Sequence, residues 1–281
     1  MPSGEDGNHS IESGLDLKIV CWNMAHRSAA WSALLDMPGV DVGLLQEASR
    51  VPEELSNLVE VDRRLWEADC GYPSGYPSVV ARLSDRVTTR FVKTRSISRA
   101  GSHDFYTSEW GTLGAAVVEP VDGGDPITVI SMAPAYNHHT HESGSPSSYE
   151  TINSVHRLIS DLARLVGRRS RVIAAGDWTI NRGWSRQSTP IWNKREALHF
   201  KTAFDRMTAL GFRHLAPEGR ENERGEAVTF VPIGSAPEKA FAQLDFVFAT
   251  ENIADRVSVL ALNQPEEWGP SDHCRIEINF E

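Results

Sequence analysis

Short apolar segments alternate along this chain with amphipathic ones, and this alternation constrains the fold more than any other feature. The apolar segments have the length and flanking residues of buried β-strands. They lie at residues 17–22, 40–46, 79–83, 112–118, 127–132, 171–175, 228–231, 243–249 and 274–280. Apolar residues repeat at steps of three and four between Ile152 and Val166 and within residues 197–210, and a shorter helix is predicted around Trp31. The pattern predicts an α/β fold.

A single domain is predicted for residues 16–281, because no repeat or low-complexity linker divides them. Residues 1–15 are polar and rich in Gly and Ser, so they are predicted to form a disordered tail. No apolar run approaches the length of about 18 residues that a membrane-spanning helix needs, so no membrane partner is expected.

Charge and cysteine content narrow the class of function. With a formal net charge of −10, the chain is not expected to coat nucleic acid, because that binding depends on Lys and Arg contacting phosphates. An enzyme that binds phosphate locally stays open, since a metal ion can reverse the field in an acidic site. Cys21, Cys70 and Cys274 match no zinc spacing. Cys21 and Cys274 lie in apolar runs and are predicted to be buried thiols, and the natural compartment is a reducing cytoplasm.

Acidic, amide and histidine residues fall at the edges of the predicted strands. They are Asn23, Glu47, Asp177, Asp272 and His273, with Asp245 inside a strand. A hard cation such as Mg²⁺ prefers carboxylate oxygens and waters, and phosphate-ester hydrolysis needs a positioned water and donors for developing charge. These residue types therefore predict a divalent-metal-dependent hydrolase. Singly, Glu47 and Asp177 would also fit a helix start or a turn, whereas a carboxylate inside an apolar strand is costly unless paired.

Five of these motifs, in this order, resemble the endonuclease/exonuclease/phosphatase superfamily, typified by deoxyribonuclease I and the exonuclease III-type abasic-site endonucleases. The motifs are IVCWN at residues 19–23, LLQE at 44–47, AGD at 175–177, QLDFVF at 243–248 and SDH at 271–273. The resemblance covers nearly all of residues 17–281. It implies a four-layer α/β sandwich, in which two packed mixed β-sheets are flanked by helices. The segment PEEWGPSDH at residues 265–273 is also similar to an actinobacterial subgroup of that superfamily.

The resemblance implies a metal-dependent active site. Glu47, together with Asp272 and Asn23, would hold the ion, which is expected to be Mg²⁺ with Mn²⁺ as the alternative. Asn23 would also belong to the catalytic residues. The substrate would be a phosphate ester, with nucleic acid as the first class to consider, and no obligatory protein partner is indicated.

Catalysis is assigned by the same resemblance to Asp177, which would position or deprotonate water. His273 would stabilise charge on the phosphate, with Asp245 orienting its ring. The superfamily's Gly-Asp motif normally continues with one variable residue and then Asn, but here Thr179 stands at that position and Asn appears only at Asn181. A Thr hydroxyl is a shorter donor with a single proton. We therefore expect a working but altered site, in which Thr179 donates or Asn181 substitutes for it, with weakened catalysis as the alternative.

A second departure follows the strand predicted at residues 127–132, where the superfamily has a His or Tyr near the strand end. Tyr136 is the candidate for that role in catalysis and His138 in substrate binding, although a flexible polar loop explains the same segment. Trp178 and Trp268 flank two of the motifs. Either could stack on a base or another planar substrate group, or simply pack in the wall of the cleft.

Three functions are compatible with these residues. The first is a metal-dependent phosphodiesterase, with nuclease activity as the leading form. The second is a phosphomonoesterase or small-molecule phosphodiesterase of the same fold, which would suit the net charge of −10. The third is a catalytically weakened binding protein, for which Thr179 is the support. A basic edge that could serve a nuclease, or equally be a solvated strand face, is formed by Arg82, Arg86, Arg90, Lys93 and Arg95.

Overall fold

The computed structural model of the chain describes residues 16–66, 76–96, 101, 105–135, 148–167, 170–180 and 190–281. The tail predicted at residues 1–15 lies outside them, as does Cys70. The helices are α1 (Ala29–Leu35), α2 (Ser148–Leu162) and α3 (Pro190–Ala209). The strands are β1 (Leu17–Asn23), β2 (Val42–Gln46), β3 (Glu60–Val61), β4 (Val79–Arg82), β5 (Val87–Phe91), β6 (Thr94–Ser96), β7 (Phe105–Thr107), β8 (Leu113–Pro120), β9 (Ile127–Met132), β10 (Val172–Asp177), β11 (Phe212–Leu215), β12 (Asp245–Thr250), β13 (Val257–Leu262) and β14 (Arg275–Phe280).

Two six-stranded sheets form the centre of the molecule, and both are mixed. The first has the order β13-β14-β1-β2-β4-β3, in which β1 runs parallel to β2 and antiparallel to β14. The second has the order β11-β12-β10-β9-β8-β5, in which β10 runs parallel to β9 and antiparallel to β12. In each sheet a central strand therefore has one parallel and one antiparallel neighbour. Strands β6 and β7 form a separate parallel pair.

Side chains alternate between the two faces of each central strand, and this alternation builds the layers. On β1, Ile19 and Cys21 point into an apolar layer shared with Ile173 and Val247 of the second sheet. Trp22, on the opposite face, packs against a cluster that includes Trp31 of α1.

The outer face of the second sheet is covered in the same way. Phe246 and Phe248 of β12 belong to one cluster with Leu158 of α2 and Phe200 of α3. The order of layers is thus helix, sheet, sheet, helix. This arrangement confirms the predicted four-layer α/β sandwich with two packed mixed β-sheets.

Several details differ from the sequence-based expectations. Strands β11 and β13 were not predicted; β13 lies at a sheet edge, where Leu260 is 41% exposed, so its apolar pattern is weak. Residues 228–231 form isolated bridges and not a strand, with Phe230 pairing to both Ala242 and His273. Helix α2 ends at Leu162, not at Val166.

The prediction of buried thiols is confirmed for Cys21 and Cys274. Cys21 and Cys274 are buried free thiols, and burial raises the pKa of each well above its ordinary value. Neither is therefore suited to act as a nucleophile. None of the described helices is long and apolar enough to cross a lipid bilayer.

Candidate active site

The polar residues predicted at strand ends converge on one edge of the two sheets. Asn23 ends β1, Glu47 follows β2, and Asp177 ends β10. Strand β12 runs antiparallel to β10, so it begins at the same edge, and its first residue, Asp245, pairs directly with Asp177. His273 lies just before β14, which is antiparallel to β1. Residues far apart in sequence are thereby gathered at rigid strand ends.

Asn23 connects the first sheet to Asp177 of the second. Its amide Nδ2 donates to Asp177 Oδ2 at 3.0 Å, and its Oδ1 accepts the backbone N–H of Ala25 at 2.9 Å. Because an amide cannot accept through its nitrogen, these two bonds fix which way the Asn23 side chain is turned. Asn23 therefore presents a donor to Asp177.

His273 and Asp245 form the second connection between the sheets. His273 Nδ1 lies 2.8 Å from Asp245 Oδ2, and both side chains are buried. Burial alone would lower the pKa of His273, but the carboxylates of Asp245 and Asp177 outweigh it and raise that pKa to about 10. The ring is thus an imidazolium at neutral pH. Its Nε2 is 3.8 Å from Asp177 Oδ2, beyond hydrogen-bond distance.

Asp177 lies at the centre of this cluster and is 4% exposed. Burial, with help from the charges of Asp245 and Glu47 and against that of His273, raises the pKa of Asp177 to about 7. Its Oδ1 accepts the backbone N–H of Thr179 at 2.6 Å and the Thr179 hydroxyl at 3.2 Å. A carboxyl with such a pKa can take up a proton near neutral pH, as a general base must.

Glu47 is the carboxylate through which the cluster reaches solvent, since its side chain is 39% exposed. Burial pushes its pKa up, but His26, His273 and a hydrogen bond from Asn23 outweigh burial and lower the pKa below its ordinary value. Glu47 is therefore ionised at neutral pH. Its Oε2 lies 2.8 Å from His26 Nε2.

These donors fit a hard cation that keeps most of its waters. Such an ion needs only one or two protein carboxylates and fills its remaining positions with water and substrate oxygens. The carboxylate of Glu47 meets that need. Asp272, the residue before His273, is half-buried and offers a second carboxylate. The amide oxygen of Asn23 accepts one hydrogen bond and keeps a second lone pair. Within the described ranges no three His, Cys, Asp or Glu side chains are grouped to cage a metal. These described residues therefore suit an ion bound partly by water and substrate, and not one enclosed by protein ligands alone.

Backbone strain is concentrated at the same edge. Among the described residues, the non-glycine residues with positive φ are Ala25, His26, Glu47 and Thr179, at φ values of 45°, 62°, 47° and 51°. Left-handed backbone disfavours residues that carry a Cβ, and such strain clusters where a site requires a particular geometry. All four residues lie within three positions of the ends of strands β1, β2 and β10. The strain is an independent reason to place the candidate site at these strand ends.

A further set of hydrogen bonds holds the side chains of this cluster, and the sequence did not predict it. Trp22 Nε1 donates to the His273 carbonyl at 2.9 Å. Ser271 Oγ donates to the Asn23 carbonyl at 2.6 Å and accepts the His273 N–H at 3.1 Å. Thr229 Oγ1 accepts the backbone N–H of Asp245 at 3.2 Å. The IVCWN and SDH motifs contain Trp22 and Ser271, whereas nothing local marks Thr229.

A fully buried bridge beneath the site also links the two sheets. Gln46 Nε2 donates to Ser131 Oγ at 2.9 Å, and Ser131 Oγ donates to the Leu45 carbonyl at 2.8 Å. Both side chains are 0% exposed. Since buried polar groups are stable only when satisfied, this bridge fixes the position of β2 and so of Glu47, the residue that follows it.

The close approach of β9 to β10 explains why the residue before Asp177 is Gly176. A Cβ built there would lie 1.7 Å from the Met132 carbonyl oxygen of β9. Gly176→Ala is therefore expected to destabilise the protein by about 3 kcal/mol or more, measured by urea unfolding, because backbone must move to relieve the overlap. The matched control is Gly167→Ala, where the nearest contact is the Ser170 hydroxyl at 3.2 Å. Equal stability of the two variants would contradict the close approach of β9 and β10.

The predictions made for the remaining site residues fare differently. Trp178 is 0% exposed and stacks on Phe248 at 4.8 Å between ring centroids, so the prediction that it stacks on substrate is wrong. Its position after Asp177 turns the ring into the core beneath the sheet. Trp268 is half-buried and donates from Nε1 to the Ser271 carbonyl at 3.0 Å, and its contact with substrate stays a prediction. Tyr136, His138 and Asn181 lie outside the described residues.

Comparison with known proteins identifies the fold. No protein-family model matches the chain, and no curated protein matches it in sequence. Among solved structures, AP endonuclease LMAP from Leishmania major superposes with a TM-score of 0.63 at 14% identity, over 95% of this chain and 88% of that one. An endonuclease/exonuclease/phosphatase family protein from Bacteroides thetaiotaomicron gives 0.55 at 11% identity, over 95% and 99% of the two chains.

A third similar structure is the mannosyl-6-phosphatase Bt3783 from Bacteroides thetaiotaomicron, with a TM-score of 0.55 at 10% identity over 93% of this chain and 98% of that one. The chain therefore has the endonuclease/exonuclease/phosphatase fold, also called the deoxyribonuclease I-like fold. At these identities the likeness establishes the fold and leaves activity to be argued from the site. The actinobacterial subgroup stays a prediction.

Proposed function

We propose that this protein is a divalent-metal-dependent phosphodiester hydrolase, with nucleic acid as its leading substrate class. The observation that carries the proposal is the buried cluster in which Asn23 and Asp245 hold Asp177 and His273 beside the exposed carboxylate of Glu47. It contains a base, a cationic donor and a cation-binding group within one set of strand ends. Those are the groups that phosphate-ester hydrolysis requires.

Each residue has a specific task in this proposal. Asp177, held through Oδ2 by Asn23 and through Oδ1 by Thr179, orients the attacking water and accepts its proton. His273, kept cationic by Asp245, donates from Nε2 to a phosphate oxygen and stabilises charge developing there.

Glu47, with Asp272 and Asn23, would hold Mg²⁺ or Mn²⁺, and the bound ion would polarise the phosphate and neutralise its charge. The Thr179 hydroxyl is directed at Asp177 and so supports the base, which is how we interpret the altered Gly-Asp motif. The working site is thereby favoured over the weakened one.

A phosphomonoesterase or small-molecule diesterase is the second candidate, and one observation favours it. Two members of the basic edge considered for a nuclease are already paired: Arg82 with Glu60 and Asp85, and Arg86 with Asp41 at 3.7 Å. Paired cations release fewer counterions from a nucleic acid backbone. Similar structures include both an AP endonuclease and a mannosyl-6-phosphatase, so both substrate classes belong in the first assays.

Hydrolysis of bis(p-nitrophenyl) phosphate is the first test of the proposed function. With Mg²⁺ or Mn²⁺ the purified protein is expected to release p-nitrophenol. With EDTA turnover is expected to fall to the uncatalysed rate, because without a cation the ionised carboxylate of Glu47 repels the phosphate. Parallel assays with abasic duplex DNA, RNA and p-nitrophenyl phosphate separate nuclease from monoesterase. Absence of turnover on every substrate, with metal binding retained, would favour the third candidate, a binding protein.

The compartment and partners are part of the same proposal. A reducing cytoplasm is the proposed location, supported by the free buried thiols of Cys21 and Cys274. The phosphate-ester substrate is the proposed partner, and no protein partner is needed to complete the cluster described above.

A further inference from the structure

Among the residues that the structure describes, His26 is a histidine at the site edge that the proposed mechanism does not use. It follows β1 by three residues and its side chain is 44% exposed. Its Nε2 faces the Glu47 carboxylate at 2.8 Å, and its ring lies flat on that of Tyr76, with centroids 3.9 Å apart and planes 12° apart. The imidazole is therefore held on one side by a ring and directed on the other at the proposed cation ligand.

The backbone fixes this arrangement as firmly as the side chains do. The His26 N–H donates to the Glu47 carbonyl at 3.1 Å, and the Met24 N–H donates to the Gln46 carbonyl at 2.8 Å. Both His26 and Glu47 have left-handed backbone, a strained conformation for residues with side chains. The turns after two parallel strands are thus joined, and their joining brings the nitrogen and the carboxylate together.

The separation of these two atoms matches a pair of metal ligands. Two adjacent ligands of an octahedral ion with bonds of about 2.1 Å lie about 3 Å apart, close to the observed spacing of Nε2 and Oε2. Mg²⁺ takes oxygen ligands and keeps its waters, whereas a transition-metal ion also accepts an imidazole nitrogen. Among those ions Mn²⁺ is the one that also suits carboxylate and water ligands in an octahedral site. One nitrogen beside one carboxylate therefore changes which ion the site prefers.

We propose that His26 is a further metal ligand, which with Glu47 makes the site bind Mn²⁺ in preference to Mg²⁺. This inference rests on the proposed function, because it places a cation at Glu47. It adds a ligand and an ion preference that the motif residues do not specify. A metal bound between Nε2 and Oε2 would take the place of the hydrogen bond between them.

Calorimetric titration with Mn²⁺ and with Mg²⁺, at one fixed pH, tests the preference directly. His26→Phe keeps a flat ring to stack on Tyr76 and removes the nitrogen. It is expected to weaken Mn²⁺ binding by about tenfold or more and to change Mg²⁺ binding by less than about twofold. Pulsed electron paramagnetic resonance of the Mn²⁺-loaded wild type is expected to show coupling to a ¹⁴N nucleus, and His26→Phe to lose it. The control is His156→Phe, on α2 beside Arg206, which is expected to change neither affinity.

The outcomes separate this inference from the proposed function. Glu47→Gln is expected to abolish binding of both ions, and a wild type that binds neither above the level of that variant overturns both proposals. If the wild type binds Mn²⁺ without ¹⁴N coupling, or if His26→Phe weakens or tightens both ions equally, His26 is not a ligand and the proposed function stands. Circular dichroism of each variant confirms that the comparison is made on folded protein.

Discussion

Asp177→Asn is expected to lower metal-dependent phosphodiester turnover by about 10²–10⁴-fold, the range that a general base contributes. The change keeps the side chain's shape, and its remaining oxygen can still accept from Asn23 or from Thr179. It removes the group that takes the proton from water. The loss is therefore expected in kcat, with KM changed little, in initial rates measured with bis(p-nitrophenyl) phosphate and saturating metal.

Asp161→Asn is the matched control for this variant. Asp161 is another buried carboxylate, 6% exposed, and it accepts hydrogen bonds from the Ser108 backbone and hydroxyl at 2.7 and 2.9 Å, away from the strand ends. It is expected to lower the melting temperature and to leave kcat near the wild-type value. Wild-type turnover in Asp177→Asn would remove Asp177 from the mechanism, and an equal loss in both variants would indicate a general loss of folding.

The second large effect is expected from His273→Gln, in both activity and stability. Loss of the imidazolium removes a donor to the phosphate, which lowers kcat by about 10²–10³-fold. It also leaves the carboxylate of Asp245 buried without its cationic partner, and breaking a buried ion pair from one side costs about 3–5 kcal/mol. Urea unfolding measures the second effect, and initial rates measure the first.

A double variant separates the two consequences of losing His273. Asp245→Asn combined with His273→Gln leaves no buried charge at this pair, so part of the lost free energy of unfolding is expected to return while turnover stays low. The single Asp245→Asn change is expected to reduce turnover less than His273→Gln, since Asp245 acts through the ring. Additive losses of stability would show that the two side chains do not form the coupled pair described here.

Much of the fold could be predicted because its signals are local. Central strands such as β1, β2 and β10 are buried on both faces, so their sequences are nearly continuous apolar runs. Edge strands are harder, because β13 has one solvated face and β5 alternates between exposed and half-buried residues. The bridges at residues 228–231 depend on contacts with Ala242 and His273, which no local pattern contains.

The site was predictable to the extent that it lies at strand ends. Asn23, Glu47, Asp177 and His273 each lie at an end of an apolar run, and Asp245 is a carboxylate between Leu244 and Phe246. Their assembly at one edge agrees with that prediction, and their individual roles stay predictions.

What could not be predicted is the support around these residues. The hydrogen bond from Trp22 to the His273 carbonyl joins positions 251 residues apart. Gln46 and Ser131, which are bonded to each other, are 85 residues apart. Trp178 was considered for substrate contact because it is the neighbour of Asp177 in sequence. That neighbourhood does not determine which side of the sheet its ring occupies. His26 lies in the segment that follows β1, but its partner Glu47 follows a different strand, β2.

Because the cluster is divided between two sheets, the proposed catalytic rate depends on how the sheets are packed. Asn23 and His273 belong to the first sheet and Asp177 and Asp245 to the second, so the gap between sheets sets both distances. That gap is set in turn by the volume of apolar side chains such as Val247. Because a misplacement of about 1 Å can cost about 10²-fold in rate, a methylene gained or lost deep in the interior is expected to alter the proposed turnover before it threatens folding. Distant core variation is therefore a route by which proteins of this architecture can retune their rates without changing a single residue that meets the substrate.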